Sequence, residues 1–161
     1  MLFGNEYNWL VLEQLIDTPD NNLFIVISQT KEIKPCVNRL KHEENKKNRG
    51  LLSEKAQLVS DDEHMYRINF KNYLMYQDRN ESYCCYDADE IGIGRGLILF
   101  EKSKLLDYVN GAIDVHLAMD MHKKAELQHY GIYTLNNIVD VITFYEPIIE
   151  KVNRRSIINF E

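Results

Sequence analysis

The chain is poor in the residues that mark stapled, membrane-spanning or nucleic-acid-holding proteins. Among 161 residues there are three cysteines, three prolines, seven glycines and one tryptophan. Three is an odd number, and the start, "MLFGNEYNWL", has no basic region followed by an apolar run, so a secreted disulfide framework is not expected. Cys36, Cys84 and Cys85 are expected to be reduced thiols. No second cysteine pair stands at ligand spacing, so they are also expected to be metal-free. No apolar run approaches the roughly 20 residues that cross a bilayer as a helix. A cytoplasmic protein without a membrane partner is the simplest expectation. Positive charge is also short: 19 Lys and Arg stand against 25 Asp and Glu, a net charge of −6. Proteins that grip nucleic acid neutralise its phosphates with clustered Lys and Arg, so a basic partner suits this chain better than a nucleic acid.

What is present reads as one domain over residues 1–161, of α+β class, with a mainly antiparallel sheet packed against a few helices. "YNWLVLEQLI" fits both periods; Trp9, Leu12 and Ile16 share a helical face, and the spacing predicts a helix there. Asn22 to Thr30, β-branched and bounded by Pro19-Asp20-Asn21, predicts a buried strand. Residues 36–50, in which Arg39, Lys41, Lys46, Lys47 and Arg49 outnumber Glu43 and Glu44, are expected as a solvated helix or a polar, mobile excursion. In "YRINFKN", Tyr66, Ile68 and Phe70 alternate with Arg67, Asn69 and Lys71, the period of a half-buried strand. "YLMYQ", "SYCCYD" and "GLILFEK" follow as short runs separated by turn residues, which predicts a meander within one sheet. Within "SYCCYD", strand geometry would send Cys84 and Cys85 to opposite faces. Ser103 is expected as the N-cap of a short helix with Leu105, Leu106 and Val109 on one side and Gly111 after its last turn. Ile113, Leu117 and Met121 predict a second helix, and "LQHYGIYTL" and "NIVDVITFYEP" two further strands.

The window from Gln77 to Gly96, "QDRNESYCCYDADEIGIGRG", admits three readings: a metal site, a phosphate-cradling loop or an acidic face. Gly92, Gly94 and Gly96 lack the spacing of a dinucleotide fingerprint and lead into a strand rather than a helix, and no Gly-Lys-Ser or Gly-Lys-Thr follows. A loop or bulged strand end is expected instead. His116 and Asp120 share a helix face at i, i+4, but His122 lies off it, so these are expected on the surface. His129, beside Tyr130 in an expected strand, is expected as a buried or interfacial ring.

The acidic reading is the one that remains. Asp78, Glu81, Asp87, Asp89 and Glu90 oppose only Arg79 before the glycines begin, and Asp61, Asp62 and Glu63 form a second knot before "YRINF". If the strands are neighbours, these turns gather into a rim studded with Tyr76, Tyr83 and Tyr86. Tyrosine supplies wide amphipathic contact area at interfaces, and the chain has ten.

"QDRNESYCCYD", then "EKSKLLDYV" after the glycine-bearing loop, then "HYGIYTLNNIVDVI" resembles small bacterial immunity proteins encoded beside polymorphic toxins of the secreted or contact-delivered kind. The resemblance spans about Tyr66 to Val152. It implies an intracellular, non-catalytic protein, without cofactor, that binds and blocks the C-terminal domain of one cognate toxin, often a nuclease. Joined to the charge pattern, it makes Asp61, Asp62, Glu63, Asp78, Glu81, Tyr83, Tyr86, Asp87, Asp89 and Glu90 the expected contact residues. Two other classes stand beside it: a small hydrolase or nucleotide-modifying enzyme using groups such as Asp87, Glu90, His116 or His129, and a homo-oligomeric structural protein.

Overall fold

The computed structural model describes residues 9–33, 57–123 and 125–157. Cys36 and the polar excursion at 36–50, with its basic segment 39–49, lie outside the described residues. Among the described residues, two antiparallel sheets and two helices make the α+β fold. Sheet A joins β1 (Leu10–Asp17), β2 (Asn22–Ile33), β3 (Gln57–Lys71) and β9 (Ile148–Val152) in the order β1-β2-β3-β9. Sheet B joins β4 (Met75–Asn80), β5 (Ile91–Arg95), β6 (Leu97–Lys102), β7 (Gln128–Tyr133) and β8 (Asn137–Thr143) in the order β4-β8-β7-β6-β5. Each sheet is thus a meander with one extra strand brought back to its edge.

The two sheets share a core. Leu23, Ile25 and Ile27 of β2 with Ile68 and Phe70 of β3 meet Tyr130 and Ile132 of β7 and Val139 and Val141 of β8. The Phe70 and Tyr130 rings lie 5.6 Å apart across the interface. Tyr66, Ile68 and Phe70 turn inward as their alternation predicts, although Tyr66 is only partly buried.

Three expectations about the strands are corrected. "YNWLVLEQLI" yields β1 rather than a helix. Its pairing with β2 shifts register between Leu12 and Gln14, so Leu10, Leu12 and Leu15, which all pack toward the core, are spaced two and then three apart. That bulge blurs the strand period, and cross-strand pairing decides what local periodicity leaves ambiguous. "SYCCYD" is not a strand: the Asn80 side chain accepts from the Ser82 N–H at 3.0 Å and starts a 3-10 turn, Glu81–Tyr83, after which the chain runs unpaired. Finally, "YRINF" belongs to sheet A while "YLMYQ" and "LILFE" belong to sheet B, so the predicted single sheet is two.

The helices follow β6. Ser103 caps α1 (Lys104–Ala112), its Oγ accepting the Leu106 N–H at 3.1 Å. The helix runs through Gly111 rather than stopping before it. The second helix, α2 (Val115–Met121), starts after Ile113, which closes α1, and its Leu117 and Met121 face outward instead of lining a core. No helix among the described residues is long and apolar enough to cross a membrane.

Candidate functional site

Pairing between β4 and β8 sets Gln77 opposite Asp140, and Arg79, two residues on, shares Gln77's face. Pairing between β7 and β8 sets Gly131 on Asp140's other side. A Cβ at Gly131 would stand 2.9 Å from Phe100 and 3.0 Å from Tyr133, so glycine is what lets both rings close over the carboxylate. Phe100 in turn stacks on His129 with ring centroids 4.4 Å apart.

These placements assemble one buried polar chain. Asp140 Oδ2 accepts Gln77 Nε2–H at 2.9 Å and Arg79 Nε–H and Nη2–H at 3.0 and 2.7 Å. Asp140 Oδ1 stands 3.1 Å from His129 Nε2, and His129 Nδ1 stands 2.7 Å from Ser103 Oγ. Burial works against the Asp140 charge, but the bonds from His129 and Gln77 and the Arg79 guanidinium outweigh it and hold the carboxyl below its ordinary range. An ionised carboxylate only accepts, so His129 donates through Nε2. In the neutral ring Nδ1 accepts from the Ser103 hydroxyl, whose oxygen takes the Leu106 N–H. The network ties β4, β7 and β8 to the start of α1.

Gln77, Arg79, His129 and Asp140 also line a cavity of about 530 Å³. Tyr86 stacks on Tyr133 at 6.2 Å beside it. Burial, with the nearby Asp140 and Glu90 charges, pushes the Tyr133 hydroxyl up to about 12. The loop over the cavity is fastened to the start of α1: Asp87 pairs with Lys104, and Glu90 Oε1 accepts the Lys104 N–H at 3.0 Å. The Lys104 bond holds the Asp87 carboxyl below its usual range. Because 82–87 is not a strand, Cys84 and Cys85 both line this cavity rather than diverging, and both are free thiols.

Ser103, His129 and Asp140 stand in the order of an acyl-transfer relay. Ser103 is only 1% exposed, however, and its oxygen is committed to the helix cap, so the hydroxyl cannot meet a substrate. Around Asp140, Gln77 Nε2, Arg79 Nε and Nη2 and His129 Nε2 all point at its carboxylate, which they hold in place. Among the described residues no group of three or more His, Cys, Asp and Glu is placed to hold a metal ion. Two cations, Arg79 and Lys104, face three carboxylates, Asp87, Glu90 and Asp140, which leaves the lining one charge negative.

The remaining expected contact residues separate into two groups. Asp61, Asp62 and Glu63 sit on β3 in sheet A. Asp61 is 2.7 Å from His64 and 3.1 Å from Lys31, the His64 bond being the main cause that lowers its carboxyl to about 2. Asp62 binds Arg154. In sheet B, Asp78 accepts the Asn137 amide at 2.8 Å, and Glu81 opens the 3-10 turn. A ladder of neighbours connects the groups: Asp61 is opposite Gln29, Gln29 opposite Leu10, Leu10 O accepts the Leu135 N–H, and Asn136 O accepts the Glu81 N–H. They are connected only through this ladder and belong to different sheets, and much of their charge is met internally. The loop contrasts with this. Tyr83 is 86% and Tyr86 76% exposed, with Asp89 and Glu90 beside them. Tyr108 on α1 is also open. His116 and Asp120 are on the surface, while His122 stacks on Phe144 at 4.5 Å.

Sequence reading singled out Ser103 as a cap and His129 as a ring but missed Arg79 and Asp140. The available signal was a lone carboxylate in the apolar run "NIVDVIT". Compared with protein-family models, curated proteins and solved structures, the chain matches none.

Proposed function

We propose that this protein is a non-catalytic immunity protein that binds a basic bacterial toxin domain and blocks it. The observation that carries the reading is the exposure of Tyr83 and Tyr86 on a carboxylate-bearing loop that Asp87 and Glu90 fasten to α1. Exposed tyrosines on an otherwise restrained loop give a partner wide contact area at little ordering cost. The carboxylates not met internally speed the approach of a basic surface. The immunity-like stretches span this same region, from Gln77 through α1 to β8. The polar groups beneath the loop serve as its foundation, since Ser103, His129 and Asp140 are bonded to one another and to the backbone of α1.

The test is direct binding. Purified protein is titrated by calorimetry with an inactivated form of the protein encoded by the adjacent gene. A one-to-one complex that weakens as salt rises supports the reading; no heat and no co-elution overturns it.

A further inference from the structure

Among the described residues, four strands bound the two sheets: β1 and β9 in sheet A, β4 and β5 in sheet B. Native proteins guard such edges with charge, bulges or twist, because an open row of backbone groups recruits another strand. Three of the four are guarded here. Edge β1 carries a bulge between Leu12 and Gln14, with Glu13 at it; β9 carries Glu150 and Lys151; β4 carries Asp78 and Arg79.

Edge β5 differs. Its register shift lies at its first step, Ile91/Gly92, and Arg95 is its last residue, so its middle, Gly92-Ile93-Gly94, is uncharged. All five residues are exposed, Ile91 by 52% and Ile93 by 61%. The glycines keep the strand tight on β6. A Cβ at Gly92 would stand 2.6 Å from Ile98, and one at Gly94, whose φ is +126°, only 2.2 Å from the Leu97 carbonyl. One side of β5 is therefore bare backbone, and the two isoleucines stand out from the strand without a covering partner among the described residues.

We propose that the edge of β5 at Ile91 to Gly94, open among the described residues, takes up an extended segment of the partner as a sixth strand of sheet B, with apolar residues over Ile91 and Ile93 and Lys or Arg beside Asp89 and Glu90. This rests on the reading of the partner as a basic protein. The loop running directly into β5 carries four carboxylates, Glu81, Asp87, Asp89 and Glu90, and no Lys or Arg, and these outnumber Arg95, Lys102 and Lys104 at the edge, so charge complementarity favours a basic occupant. A second copy of this chain would bring the same acidic loop and the same net charge of −6. Main-chain hydrogen bonds supply affinity in such strand addition, and the isoleucine side chains supply register.

Amide hydrogen exchange on the complex with the inactivated adjacent-gene protein tests this, alongside the double variant Ile91→Lys/Ile93→Lys. The expected results are exchange slowed about tenfold or more over 91–95 and affinity weakened about tenfold or more in the variant, with its melting temperature unchanged. Binding with protection confined to 81–90 and α1, and with full affinity in the variant, overturns strand addition while leaving the proposed function standing. Absence of binding removes both. Protection of 91–95 that grows with concentration in the protein alone assigns the edge to self-pairing and also overturns the proposal.

Discussion

Arg79 reaches Asp140 through two nitrogens, Nε at 3.0 Å and Nη2 at 2.7 Å, from neighbouring strands β4 and β8. The carboxylate is buried and the arginine only partly so. Removing the guanidinium leaves a buried charge with fewer donors, which is more damaging than removing a surface pair. Arg79→Met is expected to lower stability by about 2–3 kcal/mol, discounted for the arginine's exposure. Urea unfolding at neutral pH measures this.

The same pair sets a pH dependence. Asp140 is held below the ordinary carboxylate range in the fold, so its stabilisation is fully present above the unfolded value near pH 4. It is lost as pH falls through the depressed folded value. In Arg79→Met the depression shrinks, and acid unfolding is expected to begin at a higher pH than in the wild type. Circular dichroism against pH checks it; superimposable curves would show that the pair does not govern acid stability.

Gly131 is expected to resist enlargement. Its missing Cβ makes room for Phe100 at 2.9 Å and Tyr133 at 3.0 Å, so Gly131→Ala must displace two packed rings. A loss of about 1–3 kcal/mol is expected, with altered tyrosine signals in near-ultraviolet dichroism as the Tyr133–Tyr86 stack shifts.

Tyr83 and the loop charges should separate kinetically. Tyr83→Ala, at a residue with little packing to lose, is expected to leave stability within about 0.5 kcal/mol. It should speed dissociation from the partner by about 1–3 kcal/mol equivalent. Glu81→Lys with Asp89→Lys is expected mainly to slow association and flatten its salt dependence. Surface plasmon resonance at two ionic strengths distinguishes the two effects.

The strands that sequence periodicity identified are those with unbroken alternation or continuous apolar runs, such as Tyr66 to Phe70 and Ile138 to Ile142. Where a bulge intervenes, as after Leu12, the period fails and a strand reads as a helix. Where one side chain captures the backbone, as Asn80 does, β-rich composition in "SYCCY" yields a turn. The polar network was hidden for another reason. Gln77, Arg79, Ser103, His129 and Asp140 are scattered over 64 positions and meet only through the order β4-β8-β7-β6. Which carboxylates stay unpaired was equally illegible, because Lys31, Lys104 and Arg154 arrive from distant segments.

The central claim is that the loop from Glu81 to Glu90 neutralises a toxin encoded beside this protein. Growth of cells producing that adjacent protein in active form, with either wild-type protein or the quadruple variant Glu81→Lys/Tyr83→Ala/Tyr86→Ala/Asp89→Lys, measures it most directly. The account predicts arrest without this protein, rescue by the wild type, and arrest with the variant although it accumulates and melts like the wild type. A harmless adjacent protein, or rescue by the variant equal to that by the wild type, would contradict it.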